Sequence, residues 1–110
     1  MSSFKLDALS SKELFEDVLV RLVSGDELTL NYFELKSTNV VIPFHEHPVE
    51  HFVFVLQGEI EFIIEDDKIM LKERDCLFLP VNRFHSARVI RAPVHALELF
   101  TNTNDEYYTK

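Results

Sequence analysis

The sequence predicts one small all-β domain, built as a sandwich or barrel. Three observations lead there. The chain has 110 residues, enough for one hydrophobic core and too few for a second. Apolar residues make up 46% of it, and the chain contains ten Phe, so a packed interior can form. Short runs of β-favouring residues recur with turn chemistry between them, which is the spacing of a sandwich or barrel rather than of a βαβ fold.

Taken in order, Ser10-Ser11-Lys12-Glu13 reads as a capping box leading into Leu14-Phe15, which predicts one short helical turn. Residues 1–24 would supply that turn and an extra strand ahead of the main body at about 28–100. Residues 17–23 alternate weakly and end at Ser24-Gly25-Asp26, a turn. Residues 28–35 set Leu28, Leu30 and Tyr32 against Thr29, Asn31 and Phe33. Ser37-Thr38-Asn39 then turns into Val40-Val41-Ile42. Residues 52–56 form an apolar strand, and Gln57-Gly58 reads as the turn that closes it. Residues 59–64 alternate again, and residues 65–68 have turn composition. Strands at 69–71, 76–79, 87–90 and 94–100 complete the series. Many of these runs are apolar on both faces. In so small a chain that predicts a covered outer sheet face, most simply in a homodimer.

Several partner classes are excluded. The formal charge is −8, with acids spread along the chain and no basic patch interleaved with aromatics, so nucleic acid is not expected. No uncharged apolar stretch approaches the roughly 20 residues that span a bilayer. Residues 1–9 lack a basic segment followed by an apolar run, so no secretory signal is read. Cys76 is the single cysteine and cannot form an intrachain disulfide. Together these features predict a cytoplasmic protein.

The chemistry concentrates in His45-Glu46-His47-Pro48-Val49-Glu50-His51, which holds three of the five histidines. Residues two apart on a strand share a face, so His45 and His47 can meet on one ion. His51 would lie about 20 Å from His45 on a continuous strand. Ligand atoms on one ion lie about 3–4 Å apart, so the chain must fold back between His47 and His51. Pro48, disfavoured inside a sheet, sits where the bend is needed. The fourth candidate, His85, follows Pro80-Val81-Asn82-Arg83-Phe84, where Pro80 ends a strand and Asn82 tolerates positive φ.

These segments resemble the cupin superfamily. Its first motif reads Gly, five residues, His-x-His, three or four residues, Glu, six residues, Gly. Here Asn39 precedes five residues, then come His45-Glu46-His47, three residues, His51, six residues and Gly58. The second motif reads Gly-Asp, four residues, Pro-x-Gly-x-x-His, then Asn three residues later. Here it runs Arg74-Asp75, four residues, Pro80 to His85, then Val89 at the position of that Asn. Asn replaces Gly at 39 and 82 and is the next-best residue for a left-handed backbone. Arg74 in place of Gly suggests a less strained turn before Asp75. His51 stands where the motif has Glu.

The resemblance implies a double-stranded β-helix, the jelly-roll barrel of cupins, with one divalent transition metal ion held by His45, His47, His51 and His85. Four neutral imidazoles leave the ion its full +2 charge, strengthening its attraction for a carboxylate or enolate oxygen. All-nitrogen ligation suits Zn, Ni, Cu or Fe(II), and Mn(II) occurs in related cupins. Four ligands on a six-coordinate ion leave two adjacent positions for a small-molecule substrate. Phe44, Phe78 and Phe84 are candidates to line the barrel mouth. Glu98, the one acid in the apolar run at 96–100, is the candidate general acid or base. Glu46 and Glu50 are candidate orienters of the ligands. His95 reads as packing or surface, and Cys76 as an inert core thiol.

Among small cupins the chain is most similar to the pectin-breakdown type that converts 4,5-unsaturated uronates to linear keto sugars. That type carries His-x-His-Pro-x-Glu-Gln and a later Asp-x-Phe, against residues 45–51 and Glu98-Leu99-Phe100 here. Its Gln ligand falls at His51 and its basic tail residue at Asn104, two departures from the pattern. The expected activity is Lewis-acid isomerisation, lysis or hydrolysis of a small carboxylate-bearing molecule. An Fe(II) dioxygenase and a non-catalytic sugar sensor are the alternatives.

Overall fold

The computed structural model describes residues 1–102. A 3-10 turn at Leu6–Ala8 precedes eight antiparallel strands. They are β1 (Lys12–Phe15), β2 (Val18–Ser24), β3 (Leu28–Leu35), β4 (Val41–His45), β5 (His51–Ile64), β6 (Asp67–Leu71), β7 (Cys76–Leu79) and β8 (His85–Thr101).

The two long strands organise the rest. The second half of β8 pairs with β3 and with the first half of β5, from Leu35↔Val94 to His51↔Phe100. The first half of β8 pairs with β4 and with the second half of β5, through Ile42↔Ala87 and Ile64↔His85. β1 and β2 extend one half beyond β3, β7 pairs with the first half of β5, and β6 pairs with its second half. The two halves face one another across a core that joins Val18, Phe33 and Val53 from one to Ile60, Phe62 and Ala87 from the other. This is the jelly roll that the sequence predicts.

Several expectations are corrected. Residues 12–15 form no helical turn: they are β1, with Lys12 opposite Val20 and Leu14 packed against the core. An isolated turn of helix is costly to nucleate, and here the adjacent strand offers hydrogen bonds instead. Gln57-Gly58 does not close a strand. β5 runs through it, Gly58 takes φ +85°, and the register with β8 shifts around it. The predicted strands at 52–56 and 59–64 are therefore two halves of one bent strand, as are those at 87–90 and 94–100. Arg74 adopts φ +74°, so its turn keeps the left-handed backbone expected of Gly, while Asn39 does not take positive φ. Asn82 does, at +56°.

Candidate metal centre

Three of the four predicted ligands converge. The ring nitrogens of His45, His47 and His85 all lie within 4.8 Å of one another. Ring centroids are 4.6 Å apart for His45–His47, 4.3 Å for His45–His85 and 5.6 Å for His47–His85. The His51 ring stands beside this trio, 4.7 Å from His47 and 4.7 Å from Phe100. It is not part of the group within 4.8 Å. Imidazoles sharing one ion through bonds of about 2.1 Å have centroids roughly 4–6 Å apart, so the rings of His45, His47 and His85 stand at separations compatible with co-ligation.

Local backbone chemistry explains the convergence. His45 ends β4 and pairs with His85 at the start of β8, which sets two rings side by side. β4 pairs only with β8, so Pro43 is tolerated there, at a register irregularity. The chain then bends at Pro48-Val49 and returns as β5, bringing His51 back toward His47 as the spacing predicts. Asn82, in its left-handed turn, donates its N–H to the His47 carbonyl at 2.8 Å. One hydrogen bond thus ties the loop carrying His47 to the turn that aims His85.

The tautomers are set as well. His45 Nδ1 donates to the Pro43 carbonyl at 2.7 Å, and His85 Nδ1 donates to the Arg83 carbonyl at 2.8 Å. A carbonyl can only accept, so each Nδ1 carries the proton and each Nε2 keeps the lone pair that a metal needs. His51 makes a backbone hydrogen bond with Val49, again two residues upstream.

Burial disfavours the charged form of His51 and His85. His51 is 1% and His85 5% exposed. Desolvation, then the neighbouring His47 and His85, pushes His51 down to about 3, although the Val49 hydrogen bond opposes it. Desolvation likewise pushes His85 down to about 4, with the Arg83 hydrogen bond opposing and His45 and His47 adding to the fall. A pH dependence follows for the metal-free protein. Below the ordinary histidine pKa of about 6.5 the unfolded chain protonates both rings while the fold excludes the protons. Stability should therefore fall as pH drops from about 6.5 toward 4, and His85→Ala or His51→Ala should flatten that slope in urea titrations. An unchanged slope in both variants would refute the assignment.

His45 and His85 border a narrow cavity of about 30 Å³ inside the barrel. Its walls are apolar, formed by Val18, Phe33, Ile42, Ile60 and Phe62 among others, and its polar lining is Asn31, His45, His85 and Glu98. Glu98 lies on β8 between Asn31 of β3 and Val53 of β5 and is 4% exposed, so it is an interior residue rather than a solvated edge.

Other candidates fall elsewhere. Phe44 and Phe84 stack on each other at 5.0 Å, half exposed, and Phe78 packs on Phe52 on an outer sheet face. None of them lines the cavity, where Phe33 and Phe62 stand instead. Strand parity accounts for Phe44 and Phe78, each next in sequence to an inward residue. Glu46 and Glu50 are exposed. Cys76 is exposed rather than core. His95 packs as expected, its Nδ1 2.6 Å from the Tyr32 hydroxyl. Asn104 lies outside the described residues. Asn31 was not singled out from the sequence, although it shares a strand face with Phe33.

Comparison with known proteins agrees with this architecture. Residues 31–100 match the Cupin domain family. Over 70 residues the chain is 39% identical to dimethylsulfoniopropionate lyase DddQ of Ruegeria pomeroyi, a stretch covering 63% of this chain and 35% of that protein. The chain thus spans about a third of that relative's length. The solved structure of KdgF from Halomonas sp. superposes with a TM-score of 0.86 at 19% identity, covering 96% of this chain and 97% of that one. An RmlC-like cupin from Shewanella frigidimarina superposes at 0.82 with 15% identity, covering 96% and 93%. At such identities the likeness to the two structures is one of fold. With both motifs, the jelly roll and the family match in hand, the chain belongs to the cupin family.

Proposed function

We propose that this cupin is a metal-dependent enzyme of the lyase or isomerase type, acting on a compact carboxylate-bearing molecule. The observation that carries the reading is the group of ring nitrogens of His45, His47 and His85, of which His45 and His85 border an apolar cavity that Glu98 also lines. His45, His47 and His85 hold one divalent transition metal ion, and His51 completes the set. The donor set fits such an ion, because hydrogen bonds to Pro43 and Arg83 leave Nε2 of His45 and His85 available. When bound, the dication supplies Lewis-acid polarisation of a substrate oxygen.

The chain's own residues do the rest. Apolar walls exclude water, which strengthens every electrostatic interaction in the cavity. The Glu98 carboxylate takes a proton from substrate; in an isomerisation it returns that proton to product, and in a lysis the C–H electron pair forms the double bond, the leaving group departs with its bonding pair and Glu98 releases the proton to water. The narrow apolar cavity beside the histidines supports a compact substrate. The likeness to a protein named as a dimethylsulfoniopropionate lyase supports lysis over the dioxygenase and sensor alternatives.

The test is turnover by metal-loaded protein of a panel of small carboxylates, including dimethylsulfoniopropionate and an unsaturated uronate, with oxygen uptake followed in parallel. Glu98→Gln should lower turnover by about 10²–10⁴-fold with metal content unchanged. Full activity in that variant would remove Glu98 from the mechanism. Oxygen consumption by the iron-loaded protein would instead establish the dioxygenase.

The outer face of the β3–β8–β5–β7 region supports a homodimer. Leu28, Phe52, Phe54, Leu56, Phe78 and Leu99 are all 38–51% exposed there. A second copy covers such a face with the same face. Sedimentation should report twice the 12.9 kDa chain mass, and Phe52→Glu should return the monomer.

A further inference from the structure

Within the cavity, Asn31 is the one polar residue that neither the metal centre nor the proton transfer uses. It lies on the inward face of β3, 1% exposed, directly across the ladder from Glu98. Its side-chain oxygen Oδ1 is buried and accepts no hydrogen bond. Asn is depleted in strand interiors, and a buried amide oxygen without a donor is destabilising. An apolar side chain would fill the same place at lower cost, as Val20 and Phe33 do around it.

What would satisfy this oxygen is set by the rest of the lining. No Lys or Arg borders the cavity among the described residues, and beyond the histidines its polar groups are Asn31 and the Glu98 carboxylate. The complementary ligand group is therefore a hydrogen-bond donor. An ammonium brings three donors and a full charge to be desolvated, whereas a hydroxyl brings one donor and fits the narrow volume.

We propose that Asn31 is a specificity-determining residue whose Oδ1 accepts a hydrogen bond from the hydroxyl of a small hydroxylated carboxylate. The inference rests on the metal-centred reading above, in which the acid group is held at the histidine site. A site built to bond a hydroxyl discriminates strongly against the analogue that lacks one, because its own polar group is then left unpaired.

The experiment uses zinc-loaded protein titrated calorimetrically with 3-hydroxypropionate and with propionate, which differ by the hydroxyl alone. Wild type should bind the hydroxy acid at least tenfold more tightly. In Asn31→Leu that ratio should fall to about one, with propionate affinity within twofold of wild type. Asn31→Val removes the same acceptor with a strand-favouring residue and should behave alike. Thermal denaturation supplies a second readout, since loss of an unsatisfied acceptor should leave the melting temperature unchanged or raised. A fall of more than about 5 °C in both variants would mark the amide as structural and overturn the proposal. Equal affinity of wild type for the two acids would overturn it while leaving the metal centre standing. Wild type that takes up zinc but binds neither acid would overturn both the specificity role and the carboxylate reading.

Discussion

Replacing His45 and His85 together by Ala should abolish metal binding, whereas His51→Gln should retain it. The two changes differ in kind. His45 and His85 pair directly across β4 and β8, and each has its Nδ1 proton committed to a backbone carbonyl, which leaves Nε2 as the donor. Removing both takes two of the three converging imidazoles and leaves His47 with only His51 nearby. Loss of an outer-shell partner alone costs about 10–100-fold in affinity, so loss of two donors should exceed that. Gln at 51 keeps an amide oxygen near the site, and the trio of His45, His47 and His85 remains. Elemental analysis of protein purified without a histidine tag is the measurement, with circular dichroism to show that the sheet persists. Metal content unchanged in the double variant would refute the site.

The site was legible in the sequence because its geometry is local. Pro48 marks the bend that brings His51 back toward His47, and the left-handed tolerance of Asn82 fits the turn before His85. Strand parity does not place His47, because β4 ends at His45 and His47 lies in the loop beyond it. What escaped was decided by pairing at long range. Gln57-Gly58 has the composition of a hairpin turn. Only the continuous pairing of residues 51–64 with β8 converts it into a bend. Residues 10–13 spell a capping box, yet β2 lies alongside and captures the following segment as a strand. Asn31 sits in an alternating strand where a polar residue reads as solvent-facing, and only closure of the barrel makes that position interior. Cys76 is the converse, apolar in sequence context and outward in the fold.

Gly58→Ala should be the most destabilising single methyl that can be added to this chain's glycines. A Cβ at 58 would lie 2.7 Å from the Arg91 carbonyl oxygen and 2.9 Å from the Val94 Cα, and would overlap the Pro93 carbonyl as well. All three are backbone atoms of β8, which cannot rotate away. The backbone there is also at φ +85°, where an L side chain is strained. Strain of this kind costs about 1–3 kcal/mol before the overlap is counted, so a loss of about 3 kcal/mol or more is expected. Gly25→Ala is the control: its Cβ would meet only the Leu28 carbonyl, at an ordinary 3.7 Å. Urea unfolding of the two variants checks the contrast, and a Gly58 variant within about 1 kcal/mol of wild type would contradict the bend. The effect should reach the histidines. The bend separates the half of β5 that carries His51 from the half that supplies Ile60 and Phe62 to the cavity wall. It is held by the Gly58 N–H donating to the Glu73 carboxylate, which Arg91 also grips while binding Glu59. Pushing β8 away from residue 58 shifts His85 at the head of that strand relative to His51, so the variant should bind metal more weakly even where it still folds.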